Sequence, residues 1–275
     1  MFVSAAFVLS LASLVTAQPT NPTLEIEAIQ AHFSNAGLVP SLLPTFAPTA
    51  FFNLSYSGVG TISPGQKLTK DQVSPTPQLT VMPANDTVKL EGNYTLVMAD
   101  ADVVGTDESK GQTRHWLVND VTLTGSSPFN VSTASGLAVT EYAGPAPASG
   151  SGAHRYVILL LPQGSDFTPP ANLSTANVGV SVFNLEDYIS TSKLGAAVAG
   201  TYITVEEGTA TATPSPTSAV VTSTLPAAHA STAGASGTAS STAKTTASTG
   251  NAAMSAQGLS TPLALLAAAF GIIMM

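Results

Sequence analysis

The chain has no cysteine, so no disulfide can stabilise it, and only 9% of its 275 residues are charged. Lysine and arginine total 8 against 16 acidic residues, which gives a formal net charge of −8. This shortage of basic residues argues against a nucleic-acid partner, because nothing here forms a broad basic patch. The absence of cysteine does not exclude a secreted protein, since a domain of this size buries enough surface without disulfides.

The N-terminal end is apolar but too short to span a bilayer. Residues 1–17 close on Val15-Thr16-Ala17, a small-residue cleavage pattern, and no lysine or arginine precedes them. The pattern predicts a secretory signal peptide over residues 1–17. The alternative is a buried N-terminal segment.

The C-terminal end has the pattern of a GPI-attachment signal. Small residues at 251–253 precede a polar spacer and the apolar tail 263–275, with no basic residue after it. That tail is well short of the roughly 20 residues that span a bilayer. We predict that residues 251–275 form a GPI-attachment signal, with Asn251 as the attachment residue, Gly250 as the alternative, and the apolar tail removed. This places the protein on the extracellular face of the plasma membrane or in the cell wall. The alternative is a tail-anchor helix.

Between the domain and this signal, residues 208–250 consist almost entirely of Ser, Thr, Ala, Gly and Pro. Such a segment has too few bulky apolar side chains to offset its ordering entropy, which predicts a disordered, O-glycosylated stalk. The folded part is then one domain over residues 20–207. Its five N-glycosylation sequons support the secretory route. They begin at Asn53, Asn85, Asn93, Asn130 and Asn172.

The apolar pattern of the domain predicts mainly strands. Residues 51–57 alternate apolar and polar side chains, which puts Asn53 on the wet face of a half-buried strand. Three nearly continuous apolar runs, 94–99, 115–121 and 154–161, predict central strands buried on both faces. A mainly-β sandwich follows.

Helices are few and short. Residues 24–33 have helical periodicity, with Thr23 as the predicted N-cap. A second helix is predicted over residues 184–194, with Asn184 as its N-cap. Both are expected at the periphery of the sandwich.

Polar residues lie at one end of each predicted central strand. Asp100 and Asp102 follow the first, His115 opens the second, and His154 and Tyr156 open the third on a common face. If these strands are neighbours, imidazole and phenol donors converge into a small anion pocket. Taken singly, an Asp there is a turn former and a His a hydrogen-bonded core residue.

Three motifs in order, YTLVMADAD, RHWLVND and YAGPAPASGSGAHRYVILLLPQ, closely resemble the phosphatidylethanolamine-binding protein family. That family has an Asp-Pro-Asp loop, a His-bearing strand and a Gly-Pro-rich loop that runs into His-Arg-Tyr. The resemblance is strong over residues 94–163 and does not cover the stalk. It implies an antiparallel β-sandwich with a few short peripheral helices, and GLVP and FFNLSY look like secreted fungal members.

The resemblance also implies a ligand pocket. Ala101 stands where the family has a proline, and Val104 where many members have a second one, so the loop is less fixed in φ. The implied lining is Asp100, Asp102, His115, Gly144, Pro147, His154 and Tyr156.

By this resemblance the protein is a binding module for phosphate-bearing or other anionic ligands, including phospholipid head groups, and not an enzyme. No cofactor is implied. An extracellular protease that it inhibits is the other partner considered. Two alternatives stay open: a structural cell-surface glycoprotein with a vestigial pocket, and a metal-dependent hydrolase that uses the two His and two Asp.

Overall fold

The computed structural model describes residues 21–211 and 219–228, and all structural statements below concern these residues. The predicted signal peptide, Asn251 with the GPI signal, and most of the stalk lie outside them. No helix in these two ranges is both long and apolar enough to cross a membrane. The helices are α1 (Pro22–Asn35) and α2 (Leu185–Thr191), and the strands are β1 (Ala50–Tyr56), β2 (Gly60–Ile62), β3 (Lys67–Leu68), β4 (Gln78–Pro83), β5 (Tyr94–Asp100), β6 (Gln112–Thr124), β7 (Phe129–Ser132), β8 (Leu137–Thr140), β9 (His154–Pro162), β10 (Ser181–Phe183) and β11 (Ala199–Val205).

The strands form one curled sheet in the order β2-β1-β4-β7-β6-β5-β9-β11-β3, and β8 and β10 also pair with β6. The long strand β6 links the two halves, since its start pairs with β5 and its end with β7. The predicted mainly-β architecture with few short helices is confirmed. The antiparallel prediction fails at one pair of the described strands, because β3 runs parallel to β11 and makes the sheet mixed.

Two apolar layers sandwich the central strands, which explains their continuous apolar runs. In β9, Ile158 points into the core between the two halves of the sheet, whereas Leu159 points to the opposite face. That opposite face is covered by α1 and α2 through residues such as Phe33 and Leu185. A strand with both faces covered has no wet side on which to alternate polar residues.

The helix caps follow local chemistry. In α1 the N–H of Leu24 donates to the side chain of Asn21, so Asn21 rather than the predicted Thr23 is the N-cap. Pro22 at the first helical turn favours this earlier start, because its missing N–H needs no partner there. In α2 the predicted cap is confirmed, with the N–H of Asp187 donating to Asn184 Oδ1 at 2.9 Å.

The chain stays in contact with the domain beyond the predicted end at residue 207. The N–H of Thr211 donates to the carbonyl of Gly150 at 2.9 Å. Further on, buried Ala227 donates its N–H to the carboxylate of Glu27 on α1 at 3.0 Å. Within the predicted stalk, Ala227 therefore contacts α1, whereas most of residues 219–228 are exposed.

Candidate functional site

The three central strands are neighbours, and their polar ends meet at one end of the sheet. β5 lies between β6 and β9, and Asp100 at its end is paired with Thr113 on one side and Tyr156 on the other. The ring of Tyr156 lies 5.2 Å from that of His115 and 6.3 Å from that of His154.

Both ring nitrogens of His154 already have partners. Nδ1 lies 3.1 and 3.0 Å from the two carboxylate oxygens of Asp100. Nε2 lies 2.8 Å from Ser151 Oγ and 3.3 Å from a carboxylate oxygen of Asp102. The sequence had suggested His154 as a direct donor to a ligand. The geometry assigns it instead to holding Asp100, Ser151 and Asp102 together.

The charge state of His154 follows from these contacts. Burial lowers its pKa, but the hydrogen bond and charge of Asp100, together with the charge of Asp102, outweigh burial and the repulsion from Arg155. The pKa of His154 is therefore raised above its ordinary value of 6.5. The cation is the favoured form in mild acid.

The tautomer of His115 is set by the backbone. Its Nδ1 lies 2.9 Å from the carbonyl oxygen of Ala143. Because a carbonyl oxygen only accepts, Nδ1 carries the hydrogen. In the neutral ring Nε2 is then an acceptor rather than a donor. The ring itself is buried and packs edge-on against Tyr156.

The hydroxyl of Tyr156 is buried and has no hydrogen-bond partner within the described residues. Burial and the charge of Asp100 raise the pKa of Tyr156, so its phenol keeps the proton and remains a donor. Asp100 and the backbone of Ala146 come close enough to influence this pKa, but neither completes the bond. A buried donor without an acceptor requires a water molecule or a ligand.

Asp102 reaches the site by a route that the sequence did not predict. An extended Asp100-Ala101-Asp102 segment was expected to point both carboxylates the same way. Instead Asp102 adopts a left-handed conformation with φ of 53°, and its N–H donates to Asp100 Oδ1 at 2.8 Å. This turn, rather than strand alternation, brings both carboxylates to His154.

Arg155 was missed as part of the site. Its guanidinium lies on the face opposite His154, as the alternation predicted. It donates to four backbone carbonyls, those of Ala36 at 2.7 Å, Asp102 at 3.0 Å, Val103 at 2.9 Å and Ala101. It is also ion-paired with buried Glu108 at 3.2 Å. These contacts fix the loop that lacks prolines at 101 and 104. The sequence signal for Arg155 was an arginine within an apolar run. Ser151, the partner of His154 Nε2, was also missed, and its signal was its position between two glycines.

The Gly-Pro-rich loop, which the resemblance implies as a pocket wall, contacts the polar cluster at His115. The N–H of Ala143 donates to the carbonyl of His115 at 2.9 Å, and Pro147 is buried. A Cβ on Gly144 would lie 2.8 Å from the carbonyl oxygen of Val73 and 3.1 Å from Ser74 Cα. This close approach of two backbone segments explains the glycine.

All five sequon asparagines are exposed. Asn53 lies on the exposed face of β1, where the alternation had placed it. Elsewhere, no group of three or more His, Cys, Asp or Glu side chains in the described ranges is arranged to hold a metal ion.

Comparison with known proteins agrees with these observations. The profile of the phosphatidylethanolamine-binding protein family matches residues 59–212, which contain the whole polar cluster. A 26 kDa secreted antigen of Toxocara canis is 28% identical over 174 residues, which cover 62% of this chain and 61% of the antigen. The match thus spans less than two thirds of that relative.

Two solved structures share the fold. A carboxypeptidase Y inhibitor, solved in complex with its cognate proteinase, superposes with a TM-score of 0.55 at 23% identity, covering 66% of this chain and 96% of the inhibitor. A phosphatidylethanolamine-binding protein from Plasmodium vivax gives a TM-score of 0.50 at 17% identity, covering 64% of this chain and 96% of that one.

Proposed function

The chain belongs to the phosphatidylethanolamine-binding protein family, and from that premise we propose that it is a cell-surface module that binds a small phosphate-bearing anion at the cluster around Tyr156. The ligand is a free phosphate ester or a phospholipid head group. The domain acts by binding and not by catalysis.

The observation that carries this proposal is the buried Tyr156 hydroxyl without an acceptor. The Tyr156 ring lies near the rings of His115 and His154. The Gly-Pro-rich loop lies beside them, and its backbone at Gly144 packs closely on residues 73–74. An oxygen of a bound anion would complete the missing hydrogen bond. In the alternative of a vestigial pocket, a water molecule would have to accept from this hydroxyl instead.

Calorimetric titration of the purified protein with inorganic phosphate and with phosphoethanolamine at pH 6 tests this function. We expect saturable binding of at least one of them. Cosedimentation with vesicles that contain phosphatidylethanolamine separates a lipid source from a soluble one, with phosphatidylcholine vesicles as the control. Absence of binding in all these assays would support the vestigial-pocket alternative.

The topology is part of the same proposal. A secreted, N-glycosylated domain on a Ser/Thr-rich stalk, anchored by GPI through Asn251, meets ligands outside the cell. Phosphatidylinositol-specific phospholipase is expected to release the protein from membranes of its own host. Endoglycosidase treatment should lower its apparent mass, and replacing each sequon asparagine by glutamine should remove one glycan at a time. Retention after complete digestion of a control anchored protein would support a tail-anchor helix.

A second candidate is inhibition of an extracellular protease. The fold shared with the carboxypeptidase Y inhibitor, of which 96% is covered, favours this candidate, although at 23% identity the likeness concerns the fold. Titrating the protein into a serine carboxypeptidase assay tests it. A loss of peptidase activity at a stoichiometric ratio is the expected outcome, and unchanged activity at a large excess would eliminate it for that enzyme.

A further inference from the structure

We propose, on the basis of the anion site just described, that this site selects an anion that brings its own proton. The favoured ligand is a phosphate monoester in its monoanionic form. Sulfate, phosphodiesters without a donor group, and the phosphate dianion are rejected.

The first argument is the number of acceptors at the site. The side chain of Asp102 is 47% exposed, and only its Oδ1 is engaged, by the N–H of Val103 at 2.7 Å and by its contact with His154. Its Oδ2 makes no hydrogen bond to the part of the chain that the structure describes. This carboxylate oxygen is available to accept from a donor on the ligand.

The second argument is the shortage of donors. Both nitrogens of His154 are directed to Asp100, Ser151 and Asp102, so its N–H groups are not available to a ligand. Among the side chains of the cluster, the phenol of Tyr156 is then the donor without an acceptor. One donor does not satisfy an anion that carries only acceptors.

The third argument is charge. His154 as a cation balances one of its two carboxylate neighbours, Asp100 and Asp102, so this group of three carries a net −1. Behind it, buried Arg155 and Glu108 form a pair that adds no net charge. A fully deprotonated anion therefore meets like charge and facing acceptors. A monoanion with a P–OH group donates to these acceptors and accepts from Tyr156.

The test compares ligands of similar size at pH 5.5 by calorimetry. Monomethyl phosphate carries a P–OH group there, since the second pKa of a phosphate monoester is about 6. Dimethyl phosphate is a monoanion without that group, and sulfate is a dianion. We expect monomethyl phosphate to bind at least about tenfold more tightly than either. The affinity for monomethyl phosphate should fall as the pH rises to 7.5, because the ligand then loses its P–OH proton.

Replacing Asp102 by asparagine identifies the selecting group. Asparagine tolerates the left-handed conformation and can still accept from Val103, but it offers the ligand a donor. D102N should gain at least about tenfold in sulfate affinity. The matched control is Asp120→Asn, since Asp120 also has positive φ (58°) and lies near the opposite end of β6.

The possible results separate this inference from the proposed function. If sulfate or dimethyl phosphate binds wild-type protein as tightly as monomethyl phosphate, proton selection is wrong and anion binding stands. Sulfate affinity that is equal in wild type and D102N would also overturn it. If no ligand binds either protein, both the inference and the anion-binding function fail.

Discussion

His154 is hydrogen-bonded through Nδ1 to the carboxylate of Asp100, at 3.1 and 3.0 Å from its two oxygens. Asp100 ends β5 and His154 opens β9, so the bond joins two neighbouring strands at the edge of the site. Because both side chains are mostly buried, with 13% and 12% exposure, solvent screens their attraction only weakly. This pair sets the charge of the cluster.

The first prediction concerns the titration of His154. Its pKa should lie above 6.5, because Asp100 and Asp102 outweigh burial. Replacing Asp100 by asparagine should lower that pKa, since burial then faces a weaker opposing charge. NMR titration of the imidazole protons measures both. His32 is the internal control, because burial alone lowers its pKa below 6.5. A pKa of His154 at or below that of His32 would refute the assignment.

The second prediction concerns stability as a function of pH. A pKa raised in the folded state means that the His154–Asp100 pair stabilises the fold fully below the unfolded value of about 6.5. This contribution disappears as the pH rises through the raised pKa. The loss of unfolding free energy in D100N should thus be largest near pH 5, at about 1.5–3 kcal/mol, and smaller near pH 9. Urea denaturation at several pH values measures it, and a pH-independent difference would contradict the account.

The third prediction concerns Arg155 as a positioning residue. Arg155→Lys keeps the charge but cannot reach four backbone carbonyls, so we expect a loss of about 2–4 kcal/mol in unfolding free energy. Glu108→Gln, the comparison variant, removes the ion pair and leaves the carbonyl contacts, and it should cost less. R155K should also change the pKa of His154, because the loop carrying both aspartates loosens. An unchanged His154 titration in folded R155K would limit Arg155 to a general stabilising role.

The fourth prediction concerns the loop wall. A Cβ at Gly144 would approach backbone atoms of Val73 and Ser74, which cannot move like a flexible side chain. Gly144→Ala should therefore cost about 1–3 kcal/mol and weaken anion binding. At Gly164 the nearest atom to a new Cβ is a carboxylate oxygen of Asp166 at 3.0 Å, on an exposed side chain. Gly164→Ala should therefore be nearly neutral, and equal effects of the two variants would contradict the argument.

The sequence predicted the elements whose signals are local. The continuous apolar runs in β5, β6 and β9 and the Asn184 cap were read correctly, because hydrophobic period and side-chain capping act within a few residues. The ends of β5 and β9 also came together as expected. Thr23 was the wrong cap because Asn21 with Pro22 starts α1 earlier.

The contacts that the sequence did not predict depend on distant parts of the chain or on backbone angles. The two-residue strand β3 is defined only by its parallel pairing with β11. The carbonyl of Ala36 reaches Arg155 across 119 residues, and no local pattern marks that contact. The left-handed turn at Asp102 depends on its N–H bond to Asp100, which replaced the extended geometry assumed from alternation.

The most direct test of the anion site is the affinity of monomethyl phosphate for Tyr156→Phe, measured by calorimetry at pH 5.5 beside wild type. The substitution removes only the buried hydroxyl that lacks an acceptor. The control is Tyr202→Phe, which removes a phenol hydroxyl from the opposite apolar layer. The account predicts at least about tenfold weaker binding in Y156F and unchanged binding in Y202F. Equal affinity in wild type and Y156F would contradict it.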